Sequence, residues 1–249
     1  MKLESHIRLC ARDIRAKERH FPWFLLAAVL PIVLSPIANL DGTPLQRLVM
    51  PLAVTILVLE SLRSMPAWVG QCYGLSLNGI YRILGVWSAI SIWWPALVAH
   101  HPPFALHALI IFSLAAYYLL TAARIIQVLA HSDRVSIRTL CLGAAGYVHL
   151  GLTAGLMATM LQLISPSSFN LGSMALHEEL ISRLTYFSFV TLVSLGYGDV
   201  VPASPTGESF AVLLSISSTL YQSLLIGLLL SRFIASQERD LSEQIEDER

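Results

Sequence analysis

Six apolar runs, each long enough to cross roughly 30 Å of hydrocarbon, occupy residues 21–40, 44–62, 80–99, 104–123, 140–164 and 210–234. Inside a bilayer no water is available to satisfy the backbone, so runs of this length are read as helices that close their own hydrogen bonds. Charged residues make up 13% of the chain, against about 25% in soluble domains. The expected fold is an all-α membrane protein with six transmembrane helices. The second run is the least regular, with Gln46 and Arg47 near one end and Glu60 near the other. Residues 66–79, which include Trp68 and Tyr73, read as interfacial.

The basic residues orient the chain. Placed on alternating sides of six spans, only Arg47 and Arg183 of the 16 Lys and Arg residues fall outside. Both termini are therefore expected in the cytoplasm, with the protein multi-pass in the cell membrane and in contact with its lipids. Glu60 and Arg63, one helical turn apart, read as an ion pair at the inner edge.

Four domains follow. Residues 1–20 carry Leu3, Ile7, Cys10 and Ile14 at helical spacing among basic residues, which reads equally as an interfacial amphipathic helix or a basic tail. Residues 21–130 form a four-helix peripheral transmembrane domain and residues 139–235 a separate unit. Residues 236–249 read as a short charged cytoplasmic tail rather than a small bundle extending the last helix.

Several function classes drop out. The formal net charge is zero, which argues against a nucleic-acid partner. Cys10, Cys72 and Cys141 lack metal-ligand spacing, and no histidine pair stands four apart on a helix. There is no G-x-S-x-G and no phosphate loop, so no enzyme and no cofactor are expected.

Residues 165–209 are too long for a simple connection between two spans. Their second half, LISRLTYFSFVTLV, is apolar and aromatic, yet has to begin and end on the outer side if the last span is to run inward. A re-entrant helix meets both demands. It leads into SLGYG, where each glycine would cost a helix about 1 kcal/mol relative to alanine. Irregular backbone of this kind has to be shielded from lipid.

YFSFVTLVSLGYGDVVP, with a span before and after it, resembles the pore helix, selectivity filter and outer-mouth aspartate of the tetrameric potassium channels. The family signature T-x-x-T-V-G-Y-G-D is matched at Thr191, Gly196, Tyr197, Gly198 and Asp199. The resemblance covers roughly residues 140–235. It implies a homotetramer conducting K⁺, with the ion held by the carbonyls of Ser194, Leu195, Gly196 and Tyr197 and by the Ser194 hydroxyl. Gly198, Asp199, Tyr186 and Thr191 would support the filter, and Tyr186 would donate to Asp199. Ser194 stands where the family has threonine and Leu195 where it has valine.

Within the last span, Ser218 and Gln222 are candidates for lining a cavity or for gluing helices together, and Gly227 for a hinge. Glu178 and Glu179 lie near the expected outer mouth. The fourth span offers only Arg124, whereas steep voltage sensing takes about 3–4 gating charges per subunit. The sequence therefore reads as a passive, K⁺-selective channel subunit that is not strongly voltage-gated. A weakly selective cation channel is the near alternative. A potassium transporter subunit or a non-conducting membrane sensor or scaffold is the alternative of another class.

Overall fold

A computed structural model describes residues 16–38, 44–66, 77–97, 104–132, 136–171 and 180–247. Seven helices dominate: α1 (Phe21–Ala38), α2 (Pro44–Ser64), α3 (Leu77–Ser91), α4 (Phe104–His131), α5 (Ile137–Ile164), α6 (Leu180–Leu192) and α7 (Pro205–Asp247). A one-turn helix, Trp94–Leu97, follows α3, and two short strands, β1 (Phe169–Asn170) and β2 (Val201–Pro202), flank α6. Residues 1–15, the center of the expected interfacial segment 66–79, His100 and His101, and Glu178 and Glu179 lie outside the described residues.

Among the described residues, four segments are long and apolar enough to cross a membrane: Glu18–Pro36, Ala105–Ala130, Ile137–Ile164 and Pro205–Gly227. The chain has the build of an all-α, multi-pass membrane protein. The other two expected spans differ. α2 has 21 residues but carries Arg47, Glu60 and Arg63, and α3 stops after 15. The interruption after α3 has a local cause, because Pro95 lacks the amide that would continue the ladder. Trp93, at the break, is pinned to α2 by its indole, which donates to Thr55 Oγ1 at 2.9 Å.

α1 packs on α2 and α5, and α4 lies between α3 and α5. Phe21, Phe24, Leu57, Tyr117, Ile125 and Leu142 form one apolar core that runs without a break from the peripheral helices into α5. A polar seam crosses it. Ser61 meets the Tyr117 hydroxyl, Tyr117 donates to Tyr81 at 3.2 Å, and Thr121 donates to Tyr81 at 3.2 Å. In hydrocarbon such groups have to find one another.

Arg124 sits at the end of this seam. It donates to Asn78 Oδ1 at 2.6 Å and to the Pro66 carbonyl at 3.2 Å, while Lys17 donates to the Met65 carbonyl at 2.6 Å. Two cations thus neutralise the carbonyls just past the C-terminus of α2, the negative end of its dipole.

α7 is one continuous helix of 43 residues, so the stretch read as a charged tail is helical as far as Asp247. Within the chain it rests chiefly on α5 and α6. Only 11% of its membrane-length window is buried, against 61% for that of α5.

Candidate functional site

β1 and β2 pair antiparallel, with Phe169 opposite Pro202 and Asn170 opposite Val201. The excursion from residue 171 to 200 therefore returns to the level it left. No strand signal for this ladder is legible in the sequence, because two residues a side are too few for any periodicity. Its corner is built by Gln162 on the last turn of α5, which accepts from the Phe169 amide at 2.8 Å and donates to the Pro166 carbonyl at 2.6 Å. On the return side, Ser204 caps α7 by accepting from the Gly207 amide at 3.2 Å.

α6 fills the excursion. It has 13 residues, too few to span a membrane, and buries Leu184, Phe187, Ser188, Val190 and Leu192 against α5 and α7. The Phe187 ring lies tilted against Phe169, with centroids 5.1 Å apart, and Phe169 meets Phe210 edge-on. Glycines along α5 let α6 approach closely on one side and α7 on another. A Cβ at Gly151 would collide with the Phe189 ring, one at Gly155 with Thr185, and one at Gly146 with the Tyr221 hydroxyl.

A helix leaves its last four carbonyls without internal partners. In α6 all four are accounted for. Phe189 O accepts from the Val193 amide at 3.0 Å and Thr191 O from the Ser194 amide at 3.0 Å. Val190 O accepts from the Leu195 amide at 2.9 Å and the Gly196 amide at 3.4 Å. Leu192 O accepts from two hydroxyls, those of Ser218 at 2.6 Å and Tyr147 at 3.0 Å. The pairing of Leu195 with Val190 and of Ser194 with Thr191 is a Schellman motif. Its left-handed residue, where glycine is usual, is Ser194, with φ 60°.

Beyond the cap the ribbon alternates. φ is positive at Ser194, at Gly196 (57°) and at Gly198 (79°), and Leu195 and Tyr197 between them are not left-handed. Backbone that changes hand at every residue turns successive carbonyls toward one edge and amides toward the other. The amides of Leu195 and Gly196 face α6. Among the described residues, no donor reaches the carbonyls of Ser194, Leu195, Gly196 or Tyr197. Nothing lies within 4 Å of where a Cβ would stand on Gly196 or Gly198. The Leu195 and Tyr197 side chains are more than half exposed.

Just past the ribbon, Asp199 Oδ1 accepts from Tyr186 Oη at 3.4 Å and Oδ2 lies 3.8 Å from Arg183 Nη1. Thr191 contributes its backbone carbonyl to the cap. A Cβ at Gly227 would meet nothing within 4 Å among the described residues, so none of these packs on that side of the helix. Ser218 is buried, with its hydroxyl directed at Leu192 O, and Gln222 is exposed and donates to Tyr147 Oη at 2.6 Å. Tyr147 and the close-packing glycines of α5 were not singled out from the sequence, and Arg183 only as a charge on the outer side. Glycines at 143, 146, 151 and 155, small residues recurring along a membrane helix, are the signal that points to close packing there.

Residues 156–235 match the model of a family described as ion channel, from the last third of α5 through α6, the ribbon and most of α7. Neither a curated protein nor a solved structure matches the chain. The match covers the segment in which the geometry places its free carbonyl edge, and it supports membership of an ion-channel family, with channel rather than enzymatic function.

Proposed function

We propose that the protein is a passive K⁺-selective channel subunit, and that four copies bring residues 194–199 around one axis. The observation that carries this reading is the alternating ribbon, whose amides at 194–196 are tied to α6 and whose carbonyls at 194–197 have no donor within the described residues. Such an edge is what a dehydrating cation needs, since carbonyl oxygens replace its water shell. On this reading α6 is a re-entrant pore helix, and α2 and α3 complete six spans with both termini in the cytoplasm. Residues 21–130 form the peripheral domain and residues 139–235 the pore, in a cell membrane.

One chain supplies one wall of such a pore. α7 leaves Leu213, Ile216, Leu220 and Leu224 largely uncovered, and Tyr197 is 67% exposed at the outer mouth. Neighbouring copies would cover the ribbon side and the filter tyrosine, in a closed homotetramer.

A weakly selective monovalent cation channel is the second reading, favored by Ser194 and Leu195 at positions where the resembled family has threonine and valine. Flux in liposomes with opposed K⁺ and Na⁺ gradients separates the two. Barium-sensitive K⁺ run-down with little Na⁺ movement supports the first; equal movement of both ions supports the second. Flux coupled to another ion, or none, ends both.

A further inference from the structure

Leu192 is the last residue of α6, and its carbonyl is held from two directions. Ser218 Oγ of α7 donates to it at 2.6 Å and Tyr147 Oη of α5 at 3.0 Å. Each hydroxyl has one proton to give. Both are spent on this oxygen, so the 3.3 Å separation between the two hydroxyl oxygens is a contact and not a second bond. Gln222, one turn below Ser218, donates its Nε2 to Tyr147 Oη at 2.6 Å. A donor at that lone pair leaves the Tyr147 proton directed at Leu192.

The ribbon begins two residues further on, at Ser194. The Schellman cap joins the two rigidly, since Val190 and Thr191 hold the amides of Leu195 and Ser194. Whatever fixes Leu192 therefore fixes the inner end of the carbonyl edge. Tyr221, beside Gln222 on α7, adds a separate tie by donating to Gly143 O on α5 at 2.8 Å.

We propose that Tyr147 is the positioning residue of the ion pathway. It acts through the Leu192 carbonyl and, with Ser218, registers the inner end of the ribbon against both α5 and α7. This role rests on the reading of the ribbon as the ion path.

Hydrogen exchange of the full-length protein in detergent, followed in peptides covering residues 193–200, tests it. Tyr147→Phe and Ser218→Val are expected to speed exchange there by roughly three- to tenfold, the effect of losing one hydrogen bond. Peptides from α1 to α4 should not change. Ser218→Thr, which matches valine in shape but keeps the hydroxyl, should stay near the native rate and keep the native ratio of K⁺ to Na⁺ flux, whereas Ser218→Val lowers that ratio.

Unchanged exchange at 193–200 in Tyr147→Phe and Ser218→Val overturns the proposal. So does a Ser218→Thr protein that exchanges as fast as Ser218→Val. If Tyr147→Phe fails to fold, the threonine and valine pair decides alone. If the native protein carries no K⁺ while the exchange differences appear, the positioning role stands and the ion-path reading falls.

Discussion

The guanidinium of Arg124 lies 3.9 Å from the center of the Tyr81 ring. With bonds to Asn78 and Pro66, it is held as a cap for the end of α2 and is 5% exposed. A charge fixed in this way has no free path along the membrane normal. Conductance should therefore vary weakly with voltage. Arg124→Gln is expected to lower stability by about 1–2 kcal/mol, through loss of the stacked cation and its bonds. The slope of conductance against voltage should stay as it was. A slope that flattens in Arg124→Gln would make this arginine a gating charge.

Ser194 occupies a left-handed position that costs a non-glycine residue about 1–2 kcal/mol. Serine tolerates it better than a β-branched residue does. Ser194→Gly should keep or raise the thermal stability of the purified protein. Ser194→Thr, although it restores the threonine of the resembled family, should lower it by about 1 kcal/mol or more. Calorimetry of both variants checks this, and a threonine variant more stable than the native protein would contradict the backbone assignment.

Gly146 is the point at which α5 admits the Tyr221 hydroxyl. Gly146→Ala should displace that ring and cost about 1–3 kcal/mol by overpacking. Tyr221→Phe, which loses only the bond to Gly143 O, should cost about 0.6–1 kcal/mol. Thermal melts of the two variants measure the difference. Equal effects would mean that the hydroxyl, and not the close approach, is what matters there.

Tyr186 donates to Asp199 at 3.4 Å. A bond this long and exposed contributes little to stability, so on the proposed reading its effect belongs in the ion path. Tyr186→Phe should hasten the decay of current under sustained flux by roughly threefold, the equivalent of about 0.6 kcal/mol. Asp199→Asn, which also removes the charge facing Arg183, should hasten it further. Unchanged decay in Tyr186→Phe would remove the bracing role.

Hydropathy made most of the membrane build legible. The runs at 21–40, 104–123, 140–164 and 210–234 coincide with helices that pass as spans, because each is long, apolar and almost free of charge. α2 and α3 were harder to read for the opposite reason: charges dilute one and Pro95 cuts the other. Around the ribbon, the spacing of Gly196, Tyr197 and Gly198 was visible as a motif. The carbonyl ties of Tyr147 and Ser218 were not, since a tyrosine in one apolar helix and a serine in another say nothing of a shared acceptor until the helices are packed. The β1–β2 ladder was hidden likewise, being a contact between segments more than 30 residues apart, at Phe169 and Pro202. The Gln162 corner is local, reaching only Pro166 and Phe169, but a single glutamine at a helix end carries no periodic signal.

The most direct test of the central claim is anomalous scattering from crystals of the protein grown with Rb⁺ or Tl⁺ in place of K⁺. The account predicts a line of peaks on a fourfold axis, each flanked by carbonyl oxygens of residues 194–197. Residues 194–197 facing lipid, or lying off any symmetry axis with no ion beside them, would contradict it.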